Sequence, residues 1–451
     1  MKDLHRDSIN FGETKISKLF FRLFFPTLTG LLFNALLNVA DGIFVGHGVG
    51  SDALAAINII APLFMVTTGI GLMFGIGASV VASVHLSKGN TKAANINFTQ
   101  AMLVSSLLML AILLFGFCAP RTVAVWLGSS ERLLPYATDY LVHLLPGCLF
   151  ILFQSIGMLL IRLDGSPRYA MFCNVIPAVI NILLDYIFVF PADMGVGGAA
   201  LATTLSATVG GSMVIIYFLR YSSTLKFYRL KLSPTSFHLT VRNVGYMLKI
   251  GFSAFVAEIA MSVMMFTGNY IFLRNLGEDG VAAYSVACYL FPLVFMLNTA
   301  VAQSAQPIIS FNYGAGNMAR VRSARRTSLW VAAACGMAAM LFLVVFIHPV
   351  VALFLDSGTA AYKIAVAGIP VYATSSVFFA LNIVFIGYYQ SVEESVRATV
   401  YTLMRGIVLL VPAFFILPVL MGNIGIWLAI PCAELLTLVL IVAGHWMSKK
   451  K

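Results

Sequence analysis

Apolar residues in this chain occur in long runs, and short segments rich in glycine, proline and charge separate one run from the next. A helix needs about 20 apolar residues to cross the hydrocarbon core of a bilayer. The pattern therefore predicts an all-α integral membrane protein with twelve transmembrane helices. They are expected near residues 18–45, 54–83, 95–118, 135–161, 169–191, 196–219, 246–273, 281–310, 327–348, 364–389, 396–418 and 423–446.

The composition agrees with a membrane environment. Of the 451 residues, 60% are hydrophobic and 10% are charged, and the mean hydropathy is +0.94. Soluble domains contain about 45–50% apolar and about 25% charged residues. The chain has too few charges to build a water-soluble surface, so the bilayer is the expected solvent for most of its side chains.

The basic residues are distributed unevenly between the two sides of the predicted membrane. With twelve spans, 23 of the 28 lysines and arginines fall on the side of the N-terminus, four fall on the other side, and Arg405 lies inside a span. Cytoplasmic loops carry the excess of Lys and Arg, so both termini are expected in the cytoplasm. The net charge of +11 then indicates topology and contact with membrane lipids, and we expect no nucleic-acid partner.

An internal repeat divides the chain into two halves. Shifted by 227 residues, segment 50–90 matches segment 277–317 at ten of 41 positions, and segment 194–202 matches 421–429 at five of nine. Each half holds six spans, so the halves are parallel repeats, an arrangement in which transporters place their substrate between the halves. The predicted organisation is an N-terminal lobe (1–220), a basic cytoplasmic linker (221–245) and a C-terminal lobe (246–451), the lobes being pseudo-symmetric.

Among the ionisable residues of the predicted spans, we single out as candidates Asp41, Asp185, Glu258, Glu434 and Arg405. An ionisable residue in a membrane span is costly and is by default a candidate functional residue. Two acids in one half predict a shared site for Asp41 and Asp185, and Glu258 is a further candidate. Glu434, in contrast, is expected to pair with Arg405, which would give both a structural role.

Neutral polar residues follow the acids at helical spacing. Asn34, Asn38 and Asp41 share one helix face, as do Asn174, Asn181 and Asp185. The candidates for substrate binding are Asn34, Asn38, Asn174, Ser262, Met265, Asn298, Gln303 and Gln306. The alternative is that these side chains only join helices by hydrogen bonds. Pro26 removes one backbone hydrogen bond from the first span and is a candidate hinge.

The coupling ion is left open by these residues. Burial and a second nearby carboxylate both favour the protonated form of a carboxyl group, which suits proton transfer. Carboxylate, amide and carbonyl oxygens together could equally hold a sodium ion at Asp41, Asn181 and Asp185. No GxxxxGK[ST], HExxH or GxSxG motif is present, so we expect neither ATP hydrolysis nor hydrolase chemistry, and no cofactor beyond the coupling ion.

The ordered set of motifs resembles the multidrug and toxic compound extrusion (MATE) family over essentially the whole chain, and is most similar to its bacterial DinF-like and MepA-like branches. The segments that carry the resemblance are Pro26 with N-x-x-D-G-I-F-V-G at 38–46, G-x-x-A-L-A-A at 50–56, L-S-K-G-N at 86–90, R-x-x-G-x-x-R at 162–168, N-x-x-x-D at 181–185 and N-Y-G-A-G-N at 312–317.

The resemblance implies two six-helix lobes around a V-shaped cleft in a bacterial inner membrane. It implies efflux of cationic or amphipathic organic compounds, driven by H⁺ or Na⁺, by a protein expected to be a monomer. The family's N-lobe cation site carries over to Asp41, Asn181 and Asp185. Glu258 matches a helix-seven glutamate of some members, but residues 364–389 contain no acid to match their helix-ten aspartate. This departure favours proton coupling through the N-terminal lobe.

Three other functions compete with drug export. A flippase for a lipid-linked anionic precursor would need several basic residues in the core, where the sequence places only Arg405. An intramembrane enzyme would need a catalytic constellation, and none is recognisable. A channel is compatible with the topology, but buried acids within parallel six-helix repeats favour alternating access. A core with four acids and one base attracts organic cations.

Overall fold

The computed structural model describes residues 9–49, 51–231 and 233–449. Within these ranges, the side chains of residues 38, 39, 42, 43, 46, 47, 51, 52, 54, 448 and 449 are not described, so the candidate side chain of Asn38 lies outside the described part. The described residues form helices and no strands. The helices are α1 (Ile16–Gly48), α2 (Ser51–Ser87), α3 (Thr91–Cys118), α4 (Pro120–Trp126), α5 (Leu134–Leu163), α6 (Pro167–Val189), α7 (Gly195–Ile216), α8 (Pro234–Gly314), α9 (Met318–Val345), α10 (Ile347–Ala352), α11 (Ala360–Ala373), α12 (Ser375–Ser391), α13 (Ser395–Leu403), α14 (Leu410–Met421) and α15 (Asn423–Lys449).

The predicted all-α membrane fold is confirmed. Eleven helical segments of the described chain are long and apolar enough to cross a bilayer. One of them, α8, is 81 residues long and is interrupted at Gly277, where φ is +68° and ψ is −159°. Only glycine adopts such a backbone conformation readily. The break divides α8 into two spans, at the position where the sequence separates spans 246–273 and 281–310.

The helices form two compact units. The first contains the residues up to Phe255 together with Ser310–Met318, and the second contains Val256–Ile309 and Ala319–Lys451. The first unit has α5 at its centre, because this helix packs against α2, α3, α6 and α7. The second unit packs α15 against α11, α12 and α14, around an aromatic core in which Phe272 stacks on Tyr284 and meets the edge of Trp427.

The segment predicted as a linker is hydrogen-bonded to the first unit. The Asp164 carboxylate, at the end of α5, accepts the backbone N–H groups of Ser223 (3.0 Å), Thr224 (2.8 Å) and Leu225 (2.9 Å). These charge-assisted bonds satisfy three consecutive backbone donors of the segment that follows α7. The first unit therefore includes this segment and the first turns of α8.

Close backbone contact joins α2 to the start of α8. A Cβ at Gly77 would collide with the Met247 carbonyl, and a Cβ at Gly251 would collide with the Met73 carbonyl. Each helix thus contributes one glycine at the crossing, an arrangement by which helices in membranes approach through small residues. The clashing atoms belong to the backbone, so side-chain rearrangement cannot relieve the collision.

We expect Gly251→Val to destabilise the first unit by about 3 kcal/mol or more, because overpacking against a rigid backbone forces the two helices apart. Thermal unfolding in detergent measures the effect. The matched control is Gly245→Ala on the same helix, since a Cβ at Gly245 meets nothing within 4 Å. Alanine should be neutral or slightly stabilising there. Equal melting temperatures for Gly251→Val and the control would contradict the predicted backbone contact.

Candidate functional site

Asp41 on α1 and Asp185 on α6 come together in the first unit, where these two helices pack along their length. The two carboxyl groups lie within hydrogen-bond reach of each other. Asp185 is completely buried, with 0% of its surface exposed. The Oδ1 atom of each carboxyl group is buried, and no donor of the described residues is bonded to it. The acids predicted to share a site therefore do so.

The sequence of α6 explains why Asp185 is held inside. Pro167 stands in the first turn, and the helix ends at Val189. Along one face lie Asn174, Asn181 and Asp185, all buried, while Leu183 and Tyr186 on the other face are exposed. In a membrane the exposed apolar face contacts lipid, and the polar face is buried inside the protein. This is the reverse of the arrangement of an amphipathic helix in water.

Asn181 and Thr203 lie next to the acid pair. In the amide orientation that satisfies both of its polar atoms, Asn181 donates from Nδ2 to Asp185 Oδ2 at 2.9 Å and accepts the Thr203 N–H at Oδ1 at 3.2 Å. The Thr203 hydroxyl donates to the Ala199 carbonyl at 3.1 Å within α7. Asn181 therefore links α6 to α7 and fixes the orientation of the Asp185 carboxylate.

Tyr140 on α5 is a third neighbour of the acid pair. It is buried and lies within electrostatic reach of both carboxyl groups. Tyr140 and Thr203 are absent from the sequence-based site because neither is charged, and both lie on other helices than the acids. A tyrosine within an apolar span carries a hydroxyl that needs a partner, and this signal is visible in the sequence. Which residues lie near that hydroxyl is visible only from the packing of α5.

The close approach of the two acids has a direct chemical consequence. Ionised carboxylates only accept hydrogen bonds, so two adjacent carboxyl groups can bond to each other only when one of them carries a proton. Two such close acids titrate as a pair, with the first proton bound by both. The arrangement can therefore hold a proton in a buried position and release it when the carboxylates gain water or another cation.

The other N-terminal candidates occupy distinct surroundings. Pro26 lies inside α1, 15 residues before Asp41. Asn34 is partly exposed on the same helix. The Asn174 amide is engaged by protein groups: it accepts a hydrogen bond from Gln154 Nε2 at 3.1 Å and donates to the Ala170 carbonyl at 3.4 Å. A role for these residues in substrate binding stays a prediction.

Comparison with known proteins decides the family. The MatE family model matches residues 26–187 and again residues 254–416, which together make up more than half of the chain. The chain belongs to the MATE family of membrane transporters. The two matches begin 228 residues apart, close to the 227-residue shift of the internal repeat, so both halves of this MATE protein carry the family's domain.

Individual relatives agree with this assignment. The chain is 25% identical over 424 residues to the multidrug export protein MepA of Staphylococcus saprophyticus, covering 94% of this chain and 92% of the relative. It is 24% identical over 426 residues to MepA of Staphylococcus aureus, with the same coverage. Relatives that are named as multidrug export proteins thus extend over nearly the whole chain.

Solved structures show the same fold. A multidrug resistance MATE family transporter of the MOP superfamily, in an outward-facing conformation, has a TM-score of 0.91 at 23% identity and covers 99% of both chains. A second MOP superfamily transporter, from Pyrococcus furiosus and described as having a binding pocket of reverse polarity, has a TM-score of 0.88 at 23% identity and covers 96% of both chains. At this identity, the similarity concerns the fold alone.

The C-terminal candidates of this MATE protein lie in the second unit. Glu258 is buried. Asn298 is completely buried; its Nδ2 donates to the Val294 carbonyl at 2.9 Å, and its Oδ1 has no partner in the described part of the chain. The remaining candidates of this unit are Met265, which is partly buried, and Ser262, Gln303 and Gln306, which all have partners.

The expected pairing of Arg405 with Glu434 is confirmed. Arg405 donates from Nη2 to Glu434 Oε1 at 2.6 Å and from Nε to the same oxygen at 3.0 Å, and its guanidinium stands 4.4 Å from the centre of the Phe379 ring. Asn382 Nδ2 donates to Glu434 Oε2 at 2.7 Å. The Glu434 carboxylate is thus satisfied by an arginine and an amide. Arg405, Glu434 and Asn382 together join three helical segments of the second unit.

Proposed function

We propose that this protein is a secondary active antiporter that exports cationic or amphipathic organic compounds in exchange for protons, by alternating access. The observation that carries the proposal is the close approach of the Asp41 and Asp185 carboxyl groups inside the first unit, where α1 packs against α6. A site that holds a proton between two acids becomes more negative when the proton leaves, and it then attracts an organic cation. The names of the MepA relatives support multidrug export.

The proposed cycle uses the pair as an exchanger. With the proton released, the acids favour binding of the cationic substrate in the N-terminal lobe. When the site faces the outside, a proton returns and neutralises the pair, which weakens the attraction for the substrate. Because Pro26 lacks a backbone N–H and leaves a hydrogen bond unmade, α1 can bend there when the bonding of Asp41 changes.

Sodium is the alternative coupling ion. A sodium site would draw on several oxygen ligands, and Asp41, Asn181 and Asp185 supply some of them. We favour the proton because a second carboxylate close by stabilises the protonated form of a buried carboxyl group. The flippase alternative is supported less, since Arg405, the base that the sequence places inside a span, is neutralised by Glu434 and no longer attracts an anionic headgroup.

Transport in inside-out proteoliposomes tests the proposal. A vesicle interior made more acidic than the outside should drive accumulation of ethidium, a fluorescent organic cation. A higher sodium concentration inside than outside, at equal pH, should not. Protein-free vesicles of the same lipid are the control for leakage. Accumulation driven by sodium alone would contradict proton coupling, and absence of ethidium transport under both gradients would favour the flippase.

A further inference from the structure

A long acid-free segment connects the two halves of the chain. No Asp or Glu occurs between Asp193 and Glu258, whereas the basic residues of this segment are Arg220, Lys226, Arg229, Lys231, Arg242 and Lys249. All six side chains are exposed. Among the described residues, none of them forms an ion pair with an acid. The segment is therefore a surface of uncompensated positive charge.

The first turns of α8 are amphipathic. Val244, Met247 and Ile250 are buried in the core of the first unit. The opposite face presents His238, Arg242 and Lys249, spaced i, i+4 and i+11, which lie in one exposed stripe. The positive groups of Arg242 and Lys249 thus point away from the protein at the end of a membrane span.

Apolar side chains flank the basic stripe. Phe237 is 72% exposed and Val241 is 57% exposed on one side of it, and Tyr246 is 44% exposed on the other. Helices that combine a basic face with exposed aromatic and aliphatic residues lie at the boundary between lipid headgroups and acyl chains. In water these apolar groups would be a liability, so their exposure indicates contact with lipid.

Hydrogen bonds to α3 hold the segment in place. Asn95 Oδ1 accepts the Lys226 N–H and Thr99 Oγ1 accepts the Tyr228 N–H, both at 2.8 Å. Gln100 donates to Thr240 Oγ1 at 2.9 Å and accepts from Asn243 Nδ2 at 3.1 Å. These partners are uncharged, so they leave the basic side chains available to a ligand. The segment is already held in place, so it loses little further conformational entropy when a ligand binds.

We propose that this surface, made of Lys226, Arg229, Lys231, His238, Arg242 and Lys249 with Phe237 and Val241, binds anionic phospholipids of the cytoplasmic leaflet. The phosphate groups match the uncompensated charges, and the acyl chains match the apolar flanks. The inference rests on the proposed orientation, which places residues 221–245 in the cytoplasm.

The test compares two triple variants in detergent. Lys226→Gln, Arg229→Gln and Arg242→Gln remove three charges from the surface. The matched control, Arg121→Gln, Arg274→Gln and Lys363→Gln, removes three exposed charges on the opposite predicted side of the membrane. Binding of fluorescently labelled phosphatidylglycerol is titrated, with labelled phosphatidylcholine as the neutral comparison, after lipid-free melting curves show that each variant is folded.

A single basic residue near an anionic membrane contributes roughly a fivefold factor to binding. We expect the surface variant to bind phosphatidylglycerol at least about tenfold more weakly than the wild type, the control variant to bind like the wild type, and phosphatidylcholine to bind all three weakly. Unchanged phosphatidylglycerol affinity in the surface variant, or equal affinity of the wild type for both lipids, would overturn the proposal. This binding requires no transport, so a protein that binds phosphatidylglycerol but moves no ethidium would contradict the proposed function and leave the lipid site standing.

Discussion

Asp41→Asn is expected to abolish proton-driven export and to lower uphill ethidium transport by at least about 100-fold. The reason is that an amide side chain, unlike a carboxyl group, cannot bind and release a proton near neutral pH. Asn has nearly the same size as Asp, and its N–H can donate to Asp185. The variant therefore resembles a pair that is permanently neutralised at position 41, and it keeps the helix contact between α1 and α6.

The measurement is the initial rate of ethidium accumulation in inside-out proteoliposomes under an acid-inside gradient, with melting temperature as the check on folding. Asp139→Asn is the matched control: Asp139 lies next to Tyr140 in sequence but its side chain is 49% exposed, so the substitution should leave the rate unchanged.

Glu258→Gln distinguishes the lobes, because proton-driven export should persist in this variant if the N-terminal pair carries the proton. Undiminished proton-driven transport by Asp41→Asn would remove the pair from the mechanism.

Glu434→Gln is expected to be the most destabilising change in the second unit. It leaves the guanidinium of Arg405 buried without a carboxylate, and breaking a buried ion pair by removing one partner costs about 3–5 kcal/mol. The melting temperature in detergent should fall, and the loss should appear whether or not substrate is present, because neither residue is part of the proposed proton site.

A double variant separates the charge from the packing. Replacing both partners, as Arg405→Met with Glu434→Leu, removes the unpaired charge, and apolar replacements of a buried ion pair are often neutral or stabilising. The double variant should therefore recover most of the stability that Glu434→Gln loses. A single variant that melts like the wild type would contradict the predicted cost, as would a double variant less stable than the single one.

The arrangement of spans was largely predictable because the bilayer imposes a simple length rule. Segment 95–118 was predicted and Thr91–Cys118 is found; segment 18–45 corresponds to Ile16–Gly48. Two details were not predictable from apolar runs. Span 364–389 consists of two helices that meet at Thr374, and span 396–418 contains a π-helical stretch, Met404–Val408. Such π-helical stretches are rare, this one contains Arg405, and composition does not record them.

The candidate site was predictable only where charge marks it. Asp41 and Asp185 stand out because acids are rare in spans, and Asn181 follows from its position one turn before Asp185. Thr203 and Tyr140 lie on α7 and α5, and periodicity within one helix does not tell which helix it will pack against. The same limit applies to Asn382, whose contact with Glu434 crosses 52 residues of sequence.

Proton release on substrate binding tests the central claim most directly. Purified protein in weakly buffered detergent solution at neutral pH is titrated with ethidium while a pH-sensitive dye follows the medium. If the cation and the proton exchange at the Asp41–Asp185 pair, wild-type protein releases about one proton for each cation bound, since linkage between the two ligands is reciprocal, and Asp41→Asn releases none. Binding of ethidium by the wild type without proton release, or equal release by wild type and Asp41→Asn, would contradict the account.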